Sequence, residues 1–161
     1  MASSARPAQS VRRPDTVAQA ADPAGVRYIE SSALVAALLE RDAAALVSVR
    51  TKGRPVTSAL TIAEAARAIL RARSTARLTN HEERAAVGAL RRFERRAFTV
   101  AVTDVILARV GRPFPVEPIR TLDAIHLATL ELLGEPPSLV TIVTRDTRVR
   151  DNARALGYAV E

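Results

Sequence analysis

Cysteine and tryptophan are absent from this 161-residue sequence, lysine occurs once, at Lys52, and aromatic residues make up only 3%. The lack of cysteine excludes disulfides, thiolate chemistry and cysteine-based zinc sites, and fits a reducing compartment. Histidine is nearly as scarce. His81 and His126 are too few for a histidine-rich metal centre, so any metal would rest on oxygen ligands, which points to magnesium or manganese rather than zinc. No apolar run reaches the roughly eighteen residues that a membrane span needs, because charges interrupt every candidate. The expectation is a soluble, cytoplasmic protein with no membrane partner. The shortage of aromatics argues against a stacking platform for single strands. Neither the P-loop nor the dinucleotide-binding glycine pattern is present. A phosphorelay receiver wants a lysine after a late strand, and Lys52 is in the wrong place.

What the sequence does have is arginine. The formal net charge is +7, and between Arg67 and Arg96 nine arginines stand against Glu82, Glu83 and Glu94. Such a stripe suits a phosphate backbone first, which guanidinium groups meet with paired donors; a solvated helical face or an acidic protein partner are the alternatives. The length allows one domain with a real core and a tail. Residues 1–25, rich in Ala, Ser and Pro, have no apolar core for a secretory signal and read as a disordered extension, with the domain over 26–161.

Hydrophobic periodicity alternates strands and helices along this domain. Val26 to Ile29 predicts a strand, followed by a helix through Leu34, Val35, Leu38 and Leu39 and a second helix from Ala43 to Lys52. Val56 and Thr57 form a brief strand, Thr61 to Arg73 a helix, and Thr79 with Glu82 a capping box for a long helix to Arg96. Phe98 to Val102 reads as a strand and Asp104 to Val110 as a short helix. A proline-rich loop and the helix RTLDAIHLATLELL follow, with Thr121 as its N-cap. Leu139 to Val143 is an apolar strand typical of a parallel sheet, Asp146 to Leu156 the last helix, and Tyr158 to Val160 a short final strand. The pattern predicts a three-layer α/β domain with a mainly parallel sheet.

Four acidic residues invite a chemical reading. Asp123 lies in a helix that is apolar on nearly every side, which predicts a position near the core; a carboxylate there needs a cation, an arginine or N–H donors, or else serves as a first-turn cap. Glu30 and Asp146 follow predicted strands, where open parallel sheets gather ligands, although either could be a helix cap. Glu64 lies beside Arg67 and Arg71 on its helix, as a surface ion pair or as one wall of a groove with two phosphate-binding arginines. If the four carboxylates converge they repel one another, and one or two Mg²⁺ ions would hold them ionised.

Taken in order, YIESSALV, VTSALTIAEAARAI, RTLDAIHLA and VTRDTRVRDNARALG resemble the four motifs of PIN-domain ribonucleases, in particular VapC-type toxins of bacterial toxin-antitoxin pairs. The resemblance implies an α/β/α sandwich with strand order 3-2-1-4-5. It also implies a Mg²⁺ or Mn²⁺ site of Glu30, Glu64, Asp123 and Asp146, with Ser32 and Thr144 as supporting polar residues and Asp151 at most an outer carboxylate. The implied activity is that of an endoribonuclease toxin acting on structured RNA such as tRNA or rRNA. A cognate antitoxin would neutralise it by inserting a segment with a basic side chain into the acidic groove, and the toxin would form a homodimer. Arg67, Arg71 and Arg120 are the candidate RNA contacts. His126 could orient Asp123 or be a satisfied core histidine, and His81 has no evident role. The family carries aspartate where this chain has Glu30, a displacement of roughly 1 to 1.5 Å within a magnesium shell that tolerates little error. A weakened module that binds antitoxin or RNA without efficient cleavage is therefore the alternative. Family members begin one or two residues before the first-strand tyrosine, so Val26 is also expected to be the true translation start.

Overall fold

The computed structural model describes residues 25–40 and 42–161; the expected disorder upstream and the choice of Val26 as the start concern residues outside that range. Five strands, β1 (Val26–Ile29), β2 (Arg54–Ser58), β3 (Phe98–Val100), β4 (Val140–Val143) and β5 (Ala159–Val160), form one sheet in the order β3-β2-β1-β4-β5. All pairings are parallel, with Val26 opposite both Arg54 and Val140, and Tyr28 opposite Ile142. Strand order and layering are those the motif resemblance implied. After β1 the chain moves outward through β2 and β3, then returns to β4 on the other flank of β1. The switch point therefore lies between the carboxyl ends of β1 and β4.

Alternation along the strands divides the core between two helical layers. Tyr28 and Ile142 join the cluster with Ile106, Leu127 and Val149, on the side of α5 (Asp104–Val110), α6 (Thr121–Leu132) and α7 (Thr147–Ala155). Ile29 and Val143 face the other way, toward α1 (Ser31–Leu39), α2 (Ala43–Arg50), α3 (Ala59–Ser74) and α4 (Asn80–Arg96), where Leu34, Val49, Ile69 and Phe93 pack. The capping box at the start of α4 forms as expected, Thr79 and Glu82 each bonding the other's backbone.

Two local expectations change. Helix α6 is capped by Arg120 without a side-chain bond, so Thr121 is its first residue rather than its N-cap. The helix buries every residue from Ala124 to Leu130, but Leu122 is 47% exposed and Leu132 is 46% exposed. Asp123 thus sits in a half-buried first turn at the mouth of the helix, outside its buried centre. The strand expected from Leu139 starts one residue later, because Pro137 opens a 3-10 turn that holds Leu139.

Candidate active site

The carboxyl ends of β1 and β4 each lead directly into a helix, and this puts acidic side chains at the switch point. Glu30 leaves β1 in an extended conformation and caps α1. Its carboxylate is 3% exposed and is enclosed by donors from two segments. Oε1 accepts from the Ser31 hydroxyl at 2.6 Å and the Ser32 amide at 3.1 Å. Oε2 accepts from the same amide at 3.1 Å, from the Ser32 hydroxyl, and from Thr144 Oγ1 at 2.8 Å. Ser32 Oγ in turn accepts from the amides of Arg145 at 2.8 Å and Asp146 at 3.1 Å. Ser32 and Thr144 therefore clamp the β4–α7 turn onto the β1–α1 turn, with Glu30 as the shared acceptor.

Glu64 comes from the second turn of α3 and His126 from the buried middle of α6. Their side chains meet, with His126 Nε2 2.8 Å from Glu64 Oε2 and 3.6 Å from Glu30 Oε1. The ring's other nitrogen, Nδ1, lies 3.2 Å from the hydroxyl of Tyr28, itself fully buried on β1. Burial pushes the Glu64 carboxyl up, but hydrogen bonds from His126 and Ser31 and the attraction of the imidazole outweigh it, so the group is held below its ordinary range. The ion pair considered between Glu64 and Arg67 does not form: Glu64 pairs with His126, while Arg67 and Arg71 remain exposed without an ion pair among the described residues. Glu30, Glu64 and His126 each offer a ligand atom within 4.8 Å of one another.

Asp123 and Asp146 flank that cluster without joining it at this distance. Asp146 caps α7, its Oδ1 accepting from the amides of Arg148 at 2.8 Å and Val149 at 3.1 Å, which leaves Oδ2 outside the cap. Asp123 is pushed above the usual carboxylate range by burial and by the charge of Asp146, opposed by Arg120, and raised further by Glu30. One of its oxygens, Oδ2, is buried with no hydrogen-bond partner among the described residues. An unpartnered acceptor of this kind costs about 1–3 kcal/mol or more for a charged group. It is what a cation or a strong donor would complete.

Asp151 and His81 are exposed on their helices, apart from this cluster. Ser31 and Tyr28 were not singled out from the sequence, although both lie in the YIESSALV motif. His126 proves to be both a buried histidine, 1% exposed, and a participant, but its bonds go to Glu64 and Tyr28 rather than to Asp123. The only sequence signal for this was its placement one helical turn after Asp123.

Comparisons with known proteins add identity to this geometry. The family model of the PIN domain matches residues 27–155. Ribonuclease VapC35 of Mycobacterium tuberculosis is 39% identical over 138 residues, covering 83% of this chain and 93% of that protein. Ribonuclease VapC46 of the same species is 39% identical over 135 residues, with 83% and 94% covered. Among solved structures, VapBC-1 from nontypeable Haemophilus influenzae matches with a TM-score of 0.54 at 14% identity, covering 84% of this chain and 96% of that one. VapBC2 from Rickettsia felis, bound to a DNA fragment from their promoter, matches with 0.59 at 12% identity, covering 84% and 97%. At such identities the two structures speak for the fold.

Proposed function

The chain belongs to the PIN domain family, in its VapC-type branch, and from that premise we propose that it is a metal-dependent endoribonuclease, the toxin of a toxin-antitoxin pair acting in the cytoplasm. The observation that carries the metal is the orphaned, buried Oδ2 of Asp123 within electrostatic reach of Asp146 and Glu30. An oxygen-rich donor set with at most one imidazole suits Mg²⁺ or Mn²⁺.

In this reading Glu30, Glu64, Asp123 and Asp146 hold the ion, with Glu30 fixed in place by Ser31, Ser32 and Thr144. When bound, the metal supplies a water of lowered pKa and neutralises charge on the leaving oxygen of a phosphodiester. Glu64, held ionised by His126, keeps its ligand oxygens unprotonated at neutral pH. Arg120 stands at the mouth of α6 within electrostatic reach of Asp123 and would receive a phosphate there, with Arg67 and Arg71 extending the contact along α3. The substrate proposed is structured RNA such as tRNA or rRNA. The direct test is cleavage of total RNA by purified protein with and without Mg²⁺ or Mn²⁺. Asp123→Asn and Glu64→Gln should each abolish metal-dependent cleavage in a folded protein, and undiminished cleavage by the double variant would refute the assignment.

A groove of about 650 Å³ between α1, α2 and α4 supports the antitoxin partner. Leu38, Leu46, Val49 and Phe93 line it, with Arg50 and Arg92 alongside, the surface an amphipathic segment with acidic residues would cover. The proposed homodimer would draw on the exposed Val105 and Leu107 of α5, and light scattering on the purified chain tests it.

The saturation of Glu30 by protein donors favours one alternative, a weakened module that binds antitoxin or RNA without efficient cleavage. Glu30→Asp separates the two readings. Large activation would mark a degenerate nuclease, and equal activity a competent one.

A further inference from the structure

Tyr28, His126 and Glu64 come from β1, α6 and α3, and together they run from the fully buried core to the half-buried wall of the acidic cleft. An ionised carboxylate only accepts hydrogen bonds, so the 2.8 Å contact requires the proton of His126 to sit on Nε2. In the neutral ring Nδ1 then accepts a hydrogen bond that the Tyr28 hydroxyl donates at 3.2 Å. The ring is also steered by packing. Tyr28 meets it edge-on, the ring planes 71° apart, and His126 lies among seven consecutive buried residues of α6. Neither the rotamer nor the tautomer of this imidazole is left to solvent. Glu64, by contrast, comes from the second turn of α3, and among the described residues its carboxylate is bonded by side chains, those of His126 and Ser31, rather than by backbone amides.

Building on the metal reading above, we propose that His126 is a positioning residue: anchored by Tyr28, its Nε2–H fixes Oε2 of Glu64 and so orients this carboxylate for the cation. The 3.6 Å approach of the same nitrogen to Glu30 Oε1 gives the arrangement a second effect, because the N–H dipole lies between two carboxylates that would otherwise repel and splay apart. Outer partners of this kind typically contribute about 10- to 100-fold in metal affinity. The proposal differs from direct ligation by His126, in which Nε2 would have to lose its proton and its bond to Glu64.

Substitutions at His126 discriminate these roles, read by Mn²⁺ binding through water-proton relaxation, with thermal unfolding recorded alongside. His126→Gln retains an N–H at the ε position and should bind Mn²⁺ within about threefold of the wild type, whereas His126→Asn cannot reach Glu64 and should lose about tenfold or more. In a Glu64→Ala background, which removes the acceptor, the difference between histidine and asparagine should disappear. Tyr28→Phe keeps the packing but frees Nδ1, and should produce a smaller loss of affinity; it serves as the readout should the His126 variants not fold. Equal affinity of wild type, His126→Asn and Tyr28→Phe would overturn the positioning role while leaving the metal reading intact. A tenfold loss that persists in the Glu64→Ala background would overturn it in favour of direct ligation. Failure of the wild type to bind Mn²⁺ would overturn the metal reading itself, and this role with it.

Discussion

At the β1–β4 side of the cleft Glu30 is enclosed by Ser31, Ser32 and Thr144, whereas at the α6 side Asp123 keeps a buried oxygen with no partner among the described residues. Both are acidic, and both sit at the opening of a helix. The fold has compensated one charge with its own hydroxyls and amides and has left the other exposed to its neighbours' repulsion. A carboxylate satisfied internally contributes to stability; one left bare costs stability until something binds. The difference divides the cleft's carboxylates into one that the fold fixes with its own donors and one that only a ligand would complete.

Substitutions at the two carboxylates should separate these roles. The largest effect is expected from Asp123→Asn, which should reduce RNA cleavage by about 10³-fold or more, equivalent to roughly 4 kcal/mol of transition-state stabilisation. The same variant should unfold in urea at a concentration equal to or above that of the metal-free wild type, since it removes a desolvated, repelled charge. A clear loss of stability would show that Asp123 is structural after all. Glu30→Ala should do the reverse in stability, losing about 2–4 kcal/mol in urea titrations, because the α1 cap is lost and buried donors are orphaned. A variant as stable as the wild type would remove the contrast. Next, saturating Mn²⁺ at a hundredfold over its dissociation constant should stabilise the wild type by about 2.7 kcal/mol, and Asp123→Asn by much less. Equal stabilisation of both would place the ion elsewhere.

How far this contrast could be read from the sequence depends on how local its causes are. The position of Glu30 at the end of a β-branched run, and of Asp146 just past an apolar strand, followed from periodicity, and the capping box of α4 followed from Thr79 and Glu82 alone. That Ser32 and Thr144 are supporting polar residues was an implication of motif resemblance; their bonds to Glu30 appear only in the structure, since 112 residues separate the two hydroxyls. Glu64 shows where local reasoning stops. A helical wheel set it beside Arg67 because the wheel orders the faces of one helix, but what covers each face depends on which helix packs there. That contact, with His126, spans 62 residues. The ends of helix α6 depart from the sequence pattern for a related reason: its apolar residues are alike in composition, and only the packing separates the buried Leu127 and Leu130 from the half-exposed Leu122 and Leu132.

The smallest effect is expected in the pH dependence, and its sign tests the contrast most directly. Burial and the charge of Asp146 raise Asp123 above its ordinary value of 3.8. The folded protein therefore holds this proton more tightly than the unfolded chain does. Its contribution to stability is fully present below 3.8 and is lost as pH rises through the folded value. Glu64 runs the other way: its folded value lies below 4.5, so its contribution is present above 4.5 and is lost as pH falls. The two overlap in the acid range, so the informative quantity is the stability of the metal-free wild type minus that of Asp123→Asn, in which the Glu64 contribution cancels to first order. This difference should fall with rising pH and level off once Asp123 is ionised in the folded state. With Mn²⁺ present it should instead rise with pH over the same range, because the ion binds the deprotonated form. A metal-free difference that stays flat would mean that Asp123 is as well compensated as Glu30, and that the cleft has one kind of carboxylate rather than two.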